Sequence, residues 1–276
     1  MKLIDFDEKF NTKIAKYLAK HASERTEEEW EEFIADAYQK FGDTRLDAVG
    51  CTPRQYFSAM SGPQLVETLK EYLLQGIEVP DFLCEELEKR GAFPELLSLL
   101  EETDEELVHY ALKLLGADER ALPRYAQMLS SDAYDEHIKD AVAELLKQRA
   151  DAVTDQMLAL LGTESEPYAL EILSGTKGRD ERVYAALLRA FLSADEPDLP
   201  LYAGYLAAYG DERAILELVR AAGREDIGFV AFREIKFAIE ALGGEYEGQR
   251  DFSSDPAYKK IMEAGKDTDI FGGGKQ

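Results

Sequence analysis

FPELLSLL, at residues 93–100, is the first of five apolar segments that recur at nearly equal spacing along the chain. The segments start 29, 31, 30 and 31 residues apart, and the later four are LPRYAQML (122–129), VTDQMLAL (153–160), VYAALLRA (183–190) and AILELVRA (214–221). A repeat period near 30 residues is typical of stacked helical hairpins. We therefore expect each segment to be the first helix of a hairpin.

A second helix is predicted after each segment, because a turn rich in Asp, Glu, Ser or Gly comes before a further apolar pattern. The predicted second helices are 104–115, 134–149, 166–174, 197–209 and 226–242. One hairpin is too thin to bury its own apolar face, so neighbouring hairpins must stack. The sequence thus predicts an all-α fold with an α-solenoid of about five hairpins. An irregular helical bundle is the alternative.

The hairpin pattern of residues 93–243 resembles the HEAT-like, armadillo-type superfamily of α-helical repeats. The repeats here are shorter than the ~40–47 residues of HEAT and armadillo units, so the resemblance is to the architecture and to no specific family. It implies that the second helices line a concave face, which such proteins use for binding. No activity and no cofactor is carried over from it.

Residues 1–92 are predicted to form an irregular helical N-terminal region. At Thr26 and Thr52 in this region, and at Thr103 beyond it, a hydroxyl is followed three residues later by Glu or Gln, which is the pattern of a capping box at a helix start. The helices predicted in this region are 6–21, 26–41, 52–60, 63–75 and 80–90.

Residues 244–276 are predicted to be a C-terminal capping segment and a mobile tail. The predicted helix 226–242 is apolar around most of its circumference, and such a helix is buried. We expect residues 245–263, which include a short helix from Asp255 to Met262, to pack over it. The alternative is that a second copy or a partner covers it. Residues 267–276 end in Gly-Gly-Gly-Lys-Gln and are expected to be mobile.

The composition excludes several classes of function. The chain has 276 residues, 56 acidic and 32 basic groups, a net charge of −24 and a pI near 4.5. This charge disfavours direct binding to nucleic acid, which needs many Lys and Arg contacts, and to anionic membranes. No apolar run is long enough to span a membrane, and the start MKLIDFDEKF lacks the apolar stretch of a signal peptide. With two cysteines only, a cytoplasmic location is expected.

No motif for catalysis, a metal or a cofactor is visible. The three histidines lie outside any HExxH or HxH arrangement, and Cys51 and Cys84 lack metal-ligand spacing. The runs of acidic residues lie at helix starts or on polar faces, where they favour the helix dipole. We therefore expect a protein that is not an enzyme and uses no cofactor and no metal.

Candidate binding residues come from the predicted second helices. Tyr202, Tyr205 and Tyr209 are spaced i, i+3 and i+7, so they share one helix face. Tyrosines supply large contact areas at binding sites, although these rings could instead pack between repeats. Arg233 and Lys236 could hold a partner's carboxylate or pair with Glu234 or Glu240 nearby. Weaker candidates on the same face are His109 with Lys113 and Tyr168 with Glu171.

The predicted function is therefore that of a scaffold that binds a protein or peptide along its concave face. One form of this function is sequestration of a basic partner, whose approach an acidic surface accelerates. The alternative is an enzyme that acts on a small molecule or a modified macromolecule in a pocket between the N-terminal region and the repeats. The sequence does not indicate an oligomeric state.

Overall fold

The computed structural model describes residues 3–21 and 24–267, with side chains described as far as Glu263. The described residues are all-α: 68% of the chain is helical and none of the described residues lies in a strand, although one isolated bridge joins Leu46 and Cys51. The helices are α1 Phe6–His21, α2 Glu27–Gly42, α3 Pro53–Ser58, α4 Gly62–Leu74, α5 Asp81–Arg90, α6 Phe93–Leu99, α7 Glu105–Leu115, α8 Leu122–Leu129, α9 Glu136–Lys147, α10 Ala150–Ala159, α11 Glu166–Ser174, α12 Glu181–Ser193, α13 Leu199–Tyr209, α14 Ile215–Ala222, α15 Phe229–Ala241 and α16 Pro256–Asp267.

Local capping explains where several helices begin. Thr26 and Thr52 form the predicted capping boxes with Glu29 and Gln55. The prediction of a box at Thr103 is wrong by one residue, since the carboxylate of Asp104 accepts the backbone N–H groups of Glu106 and Leu107. A carboxylate at the N-cap position both accepts these bonds and favours the helix dipole, so α7 begins one residue later than predicted.

The chain divides into two compact units, Met1–Ala121 (unit 1) and Leu122–Gln276 (unit 2). The predicted boundary after residue 92 falls inside unit 1, which also holds the pair α6 and α7. The aromatic core of unit 1 joins α1 to α3 through Phe6 and Phe57, and α2 to α5 through stacked rings of Tyr38 and Phe82. Helix α4 packs on α5, α6 and α7.

Unit 2 contains four helix pairs, α8–α9, α10–α11, α12–α13 and α14–α15, and the two helices of each pair pack together. Consecutive second helices also contact each other, from α9 through α11 and α13 to α15. The first helices α8, α10 and α12 do the same. Their contact faces hold the buried leucines, valines and alanines of the repeated segments, such as Leu129, Val153 and Leu187.

An Asp-Glu-Arg triplet comes shortly before three of the first-helix segments. It occurs at residues 118–120, 180–182 and 211–213. In each triplet the Asp carboxylate accepts hydrogen bonds from the backbone N–H and from the guanidinium of the Arg two residues on. In unit 2 the arginines also reach the preceding pair, because Arg182 contacts Asp155 at 2.9 Å and Arg213 contacts Glu181 at 2.7 Å. The two triplets of unit 2 therefore combine helix capping with ion pairs between neighbouring helix pairs.

The C-terminal strap, residues 244–258, lies against α15. Phe252 packs on Phe229 and Phe232 with ring centroids 5.4 and 5.1 Å apart, and Tyr246 and Tyr258 add further ring contacts to the same two phenylalanines. The packing that the sequence predicts over this helix is thus present for three rings. It is partial, since Ile261, Met262 and Phe237 are exposed. The tail predicted to be mobile lies, apart from Asp267, outside the described residues.

Candidate functional site

An acidic stripe runs along α9. The carboxylate of Asp135 accepts the backbone N–H of Ile138 and fixes the start of this helix. Its apolar side chains at Ile138, Val142 and Leu146 are buried, which turns Glu136, Asp140 and Glu144 to the exposed face at i, i+4 and i+8. Like charges at this spacing destabilise a helix by about 0.2–0.5 kcal/mol per pair. Glu136 in the first turn favours the helix dipole, and Glu144 lies 3.9 Å from Nζ of Lys147. These contacts offset the repulsion along the stripe only in part, because Asp140 has neither among the described residues.

Two residues of α11 lie beside this stripe. The hydroxyl of Tyr168 lies near the carboxylate of Asp140, and burial together with this carboxylate raises the pKa of that tyrosine. Glu171 accepts a hydrogen bond of 2.8 Å from Nζ of Lys147, and this bond raises the pKa of the lysine. Glu136 and Glu171 also raise the pKa of Tyr168, so carboxylates of both α9 and α11 act on this tyrosine.

Two of the predicted tyrosines continue the surface on α13. The rings of Tyr202 and Tyr205 meet edge to face, with centroids 5.9 Å apart. Both side chains are half-buried. Burial raises both pKa values, and the carboxylates of Glu166 and Glu171 on α11 raise them further.

We call these residues the acid–tyrosine surface; its members are Glu136, Asp140, Glu144, Tyr168, Glu171, Tyr202 and Tyr205. They come from three second helices that contact in series. The surface offers carboxylates as hydrogen-bond acceptors and ring faces for apolar and cationic groups. Its neutral tyrosine hydroxyls do not ionise near neutral pH, so they stay donors.

Tyr209 has a different position from the other two tyrosines. Its hydroxyl accepts the backbone N–H of Asp180 at 2.9 Å and donates to the carbonyl of the same residue at 3.0 Å. These bonds join the end of α13 to the loop before α12. Its hydroxyl is therefore engaged within the fold.

The two predicted bases on α15 also differ from each other. Arg233 pairs with Glu234 at 2.8 Å, which is the local pairing considered from the sequence, and its guanidinium lies over the rings of Phe229 and Phe237. Lys236 has no carboxylate within 4.0 Å among the residues that the structure describes. Lys236 is thus the base with a free ammonium group on this helix.

His109 and Lys113 are exposed residues of α7, in unit 1. Nδ1 of His109 lies 2.9 Å from the carbonyl oxygen of Glu105, one turn earlier. The ammonium of Lys113 lies 6.0 Å from the ring centroid of Tyr110. These two residues belong to a different unit from the acid–tyrosine surface, so the structure does not assign them to it.

No His, Cys, Asp or Glu cluster in the described part of the chain is arranged to hold a metal ion. Cys51 and Cys84 are free and half-buried, and burial raises the pKa of the Cys84 thiol to about 11. A thiol with such a pKa is a weak nucleophile at neutral pH.

Three features of the molecule escape the sequence-based predictions. The acidic stripe of α9 is visible as carboxylates at i, i+4 and i+8. A stripe of lysines on α1 has the same kind of spacing, and the Asp-Glu-Arg triplet occurs three times in the text of the sequence.

Comparison of the sequence with models of known protein families gives no match, and comparison with curated proteins gives none either. Within the described residues, none of the helices combines the length and the apolar character that a membrane span requires.

Proposed function

We propose that the chain is a non-enzymatic scaffold that binds a basic protein or peptide segment on the acid–tyrosine surface. In this proposal the four helix pairs of unit 2 form an α-solenoid of the HEAT-like type, and their second helices form its concave wall. The observation that carries the proposal is that the α9 acidic stripe lies beside Tyr168 on α11, and that α11 also contacts the helix that holds Tyr202 and Tyr205.

The chemistry of the surface favours Lys and Arg side chains. Glu136 and Asp140 have no ion-pair partner within 4.0 Å among the described residues, so a bound cation would relieve the repulsion along α9. Tyrosine rings attract ammonium and guanidinium groups through their negative faces. Lys236, on α15, is free to pair with a carboxylate of the same partner. The excess of acidic groups in the whole chain would accelerate the approach of a basic partner.

A reducing compartment such as the cytoplasm suits this proposal, because both described cysteines are free. A basic partner of this kind could be held inactive by sequestration. The proposal needs no cofactor and no reaction, and an enzymatic role remains the alternative to be tested against it.

The test uses a labelled peptide of alternating arginine and leucine residues, with binding to the full chain followed by fluorescence anisotropy. The triple variant Glu136→Gln, Asp140→Asn, Glu144→Gln removes the acidic stripe from exposed positions. We expect it to weaken binding by about threefold to a hundredfold, since each of the three lost pairs contributes about 0.2–1 kcal/mol. Tyr205→Ala should also weaken binding, with circular dichroism as the check on folding.

The matched control is the triple variant Glu27→Gln, Glu28→Gln, Glu31→Gln on the exposed face of α2. It changes the net charge by the same amount but leaves the acid–tyrosine surface intact, so the affinity should change little. An equal loss of affinity in both triple variants would mean that only total charge matters. An unchanged affinity in the α9 variant would refute the proposed site.

A further inference from the structure

A stripe of four lysines runs along α1 in a chain whose net charge is −24. Lys9, Lys13, Lys16 and Lys20 are spaced i, i+4, i+7 and i+11, which places them within a narrow sector of the helix. All four are exposed. Over eleven residues the stripe extends for about 16 Å, or three helical turns.

In the described part of the chain these lysines form no ion pair with a carboxylate, unlike most of the arginines, although Nζ of Lys13 lies 5.5 Å from the ring centroid of Phe41. None of the four has a carboxylate within 4.0 Å among residues 3–21 and 24–263, and the same holds for Lys40 on α2 and for Arg45. By contrast, arginines 120, 182, 213, 220 and 224 each pair with a nearby carboxylate. The ammonium groups on α1 are therefore available to an external anion.

An apolar groove lies beside the lysine stripe, between α1 and α2. It has a volume of about 370 Å³ and is lined by Phe10, Ile14, Tyr17, Phe33 and Phe41, with Lys13 and Lys40 at its edges. A second cleft of about 530 Å³ is lined by Lys9, Lys16 and Arg45 and shares Lys13 with the first. Apolar and basic surfaces thus adjoin along one helix.

The groove is poorly filled by the fold itself. In α1 only Phe6, Asp7 and Phe10 are buried, and in α2 only Phe41 and Gly42 are buried. Residues 11–21 of α1 and 27–40 of α2 therefore include no buried residue. Tyr17 stacks on Phe33 at 5.3 Å but remains 40% exposed.

We propose that the groove between α1 and α2 binds an acidic amphipathic helix of a partner protein. Apolar side chains on one face of the partner helix fill the groove, and its carboxylates at a matching spacing pair with Lys9, Lys13, Lys16 and Lys20. This is the helix-in-groove mode of recognition, in which residues at i, i+3, i+4 and i+7 anchor the bound helix. The surface is independent of the acid–tyrosine surface, which lies in unit 2 and has the opposite charge.

A nucleic acid fits this surface less well. Glu8 and Asp47 line the basic cleft, and Asp36 lines the apolar groove. A continuous phosphate backbone would meet these carboxylates, whereas a helix can place neutral side chains opposite them. The sequence of the partner helix can therefore adapt to a mixed surface that a uniform polyanion cannot match.

The experiment measures the affinity of the full chain for a fluorescent helical peptide. The peptide has glutamates at i, i+4, i+7 and i+11 and leucines at i+1, i+5 and i+8, and its matched control has glutamines in place of the glutamates. We expect the first peptide to bind and the control peptide to bind at least about tenfold more weakly. The absence of detectable binding up to about 1 mM of the first peptide would overturn the proposal.

Three protein variants locate the binding. The double variant Lys13→Glu, Lys16→Glu should weaken binding about tenfold or more, and Tyr17→Ser should weaken it as well. The double variant Lys259→Glu, Lys260→Glu on α16 makes the same charge change at exposed positions and should bind as the unmodified chain does. Equal weakening by both double variants would overturn the proposed location.

A single-stranded oligouridylate of similar length tests the competing class of partner. We expect it to bind more weakly than the acidic peptide at the same salt concentration. If it binds more tightly and the Lys13→Glu, Lys16→Glu variant abolishes that binding, the surface is a nucleic-acid site and the proposal of an acidic helix is overturned.

Discussion

Replacement of Asp211 by alanine tests whether the Asp-Glu-Arg triplets stabilise unit 2. The carboxylate of Asp211 is 3% exposed. It accepts the backbone N–H of Arg213 at 3.0 Å and two hydrogen bonds from its guanidinium, at 3.0 and 2.7 Å, and Arg179 lies 3.5 Å away. The carboxylate of the other triplet in unit 2 is less buried, since the side chain of Asp180 is 26% exposed.

The size of the expected loss follows from these contacts. Removal of the N-cap hydrogen bond costs about 1 kcal/mol. Loss of the bidentate pair with a half-exposed arginine costs about 1.5 kcal/mol. We therefore expect Asp211→Ala to lower the free energy of unfolding by about 2.5 kcal/mol, which corresponds to a fall in Tm of about 5–10 °C for a unit of this size.

The assay is thermal and urea unfolding followed by circular dichroism at several pH values. The hydrogen bonds from Arg213 hold the pKa of Asp211 below its ordinary value. The stabilisation is thus fully present above the pKa of an unfolded aspartate, about 3.9, and is lost as the pH falls through the lower pKa of the folded state. The difference between the unmodified chain and the variant should accordingly shrink below about pH 4.

Asp180→Ala is the matched control, since it removes the same carboxylate from a more exposed triplet. Its effect should be smaller than that of Asp211→Ala. Asp211→Asn keeps an acceptor for the backbone N–H and should fall between the unmodified chain and the alanine variant. Equal Tm values for the unmodified chain and Asp211→Ala, or a larger loss for Asp180→Ala, would refute this reasoning.

Three further predictions concern other contacts. Tyr209→Phe removes the hydroxyl that holds the backbone of Asp180 and should lower stability by about 1 kcal/mol in urea unfolding; a loss no larger than experimental error would contradict this. Phe252→Ala should cost about 2–3 kcal/mol and should accelerate proteolytic cleavage within the C-terminal strap, and unchanged cleavage would show that the ring does not hold the strap. Burial raises the pKa of Asp7, which also accepts the hydroxyl of Tyr38; this carboxyl therefore favours folding below its unfolded pKa and disfavours it above the raised pKa. Asp7→Asn should raise Tm at pH 7 and leave it nearly unchanged near pH 3, and a lower Tm at pH 7 would contradict the prediction.

The helices could be predicted because their signals are local. A capping box spans four residues, so Thr26 with Glu29 and Thr52 with Gln55 define helix starts without reference to the rest of the fold. The error at Thr103 has the same local origin, since Asp104 competes for the same cap and the sequence does not show which acceptor is used.

Long-range features could not be predicted in the same way. Nothing near Tyr209 in the sequence indicates that its hydroxyl bonds Asp180, which lies 29 residues earlier. The division of the chain after Ala121 depends on contacts between distant helices. The sequence does not show it, because the apolar segments keep nearly the same spacing across Ala121. A stripe such as Tyr202, Tyr205 and Tyr209 shows that three rings share a face but not which of them is already engaged by the fold.

The candidate surfaces could be predicted from the sequence only in part. The acidic stripe of α9 and the lysine stripe of α1 are visible in the sequence, because charges at i, i+4 and i+7 or i+8 share one face of a helix. What the sequence does not show is the neighbour of each stripe. Tyr168 adjoins Asp140 only because α11 packs on α9, and Phe33 adjoins Tyr17 only because α2 packs on α1.

The C-terminal strap also limits how unit 2 could be lengthened by protein engineering. A further helix pair attached behind α15 would compete for the space that Tyr246, Phe252 and Tyr258 occupy. The junction between Gly210 and Asp211 offers a better position, because the interval of 31 residues from Asp180 to Asp211 already equals one pair. A duplicated pair inserted there would begin with one Asp-Glu-Arg triplet and would be followed by another. The C-terminal strap would still pack on α15 in the enlarged unit.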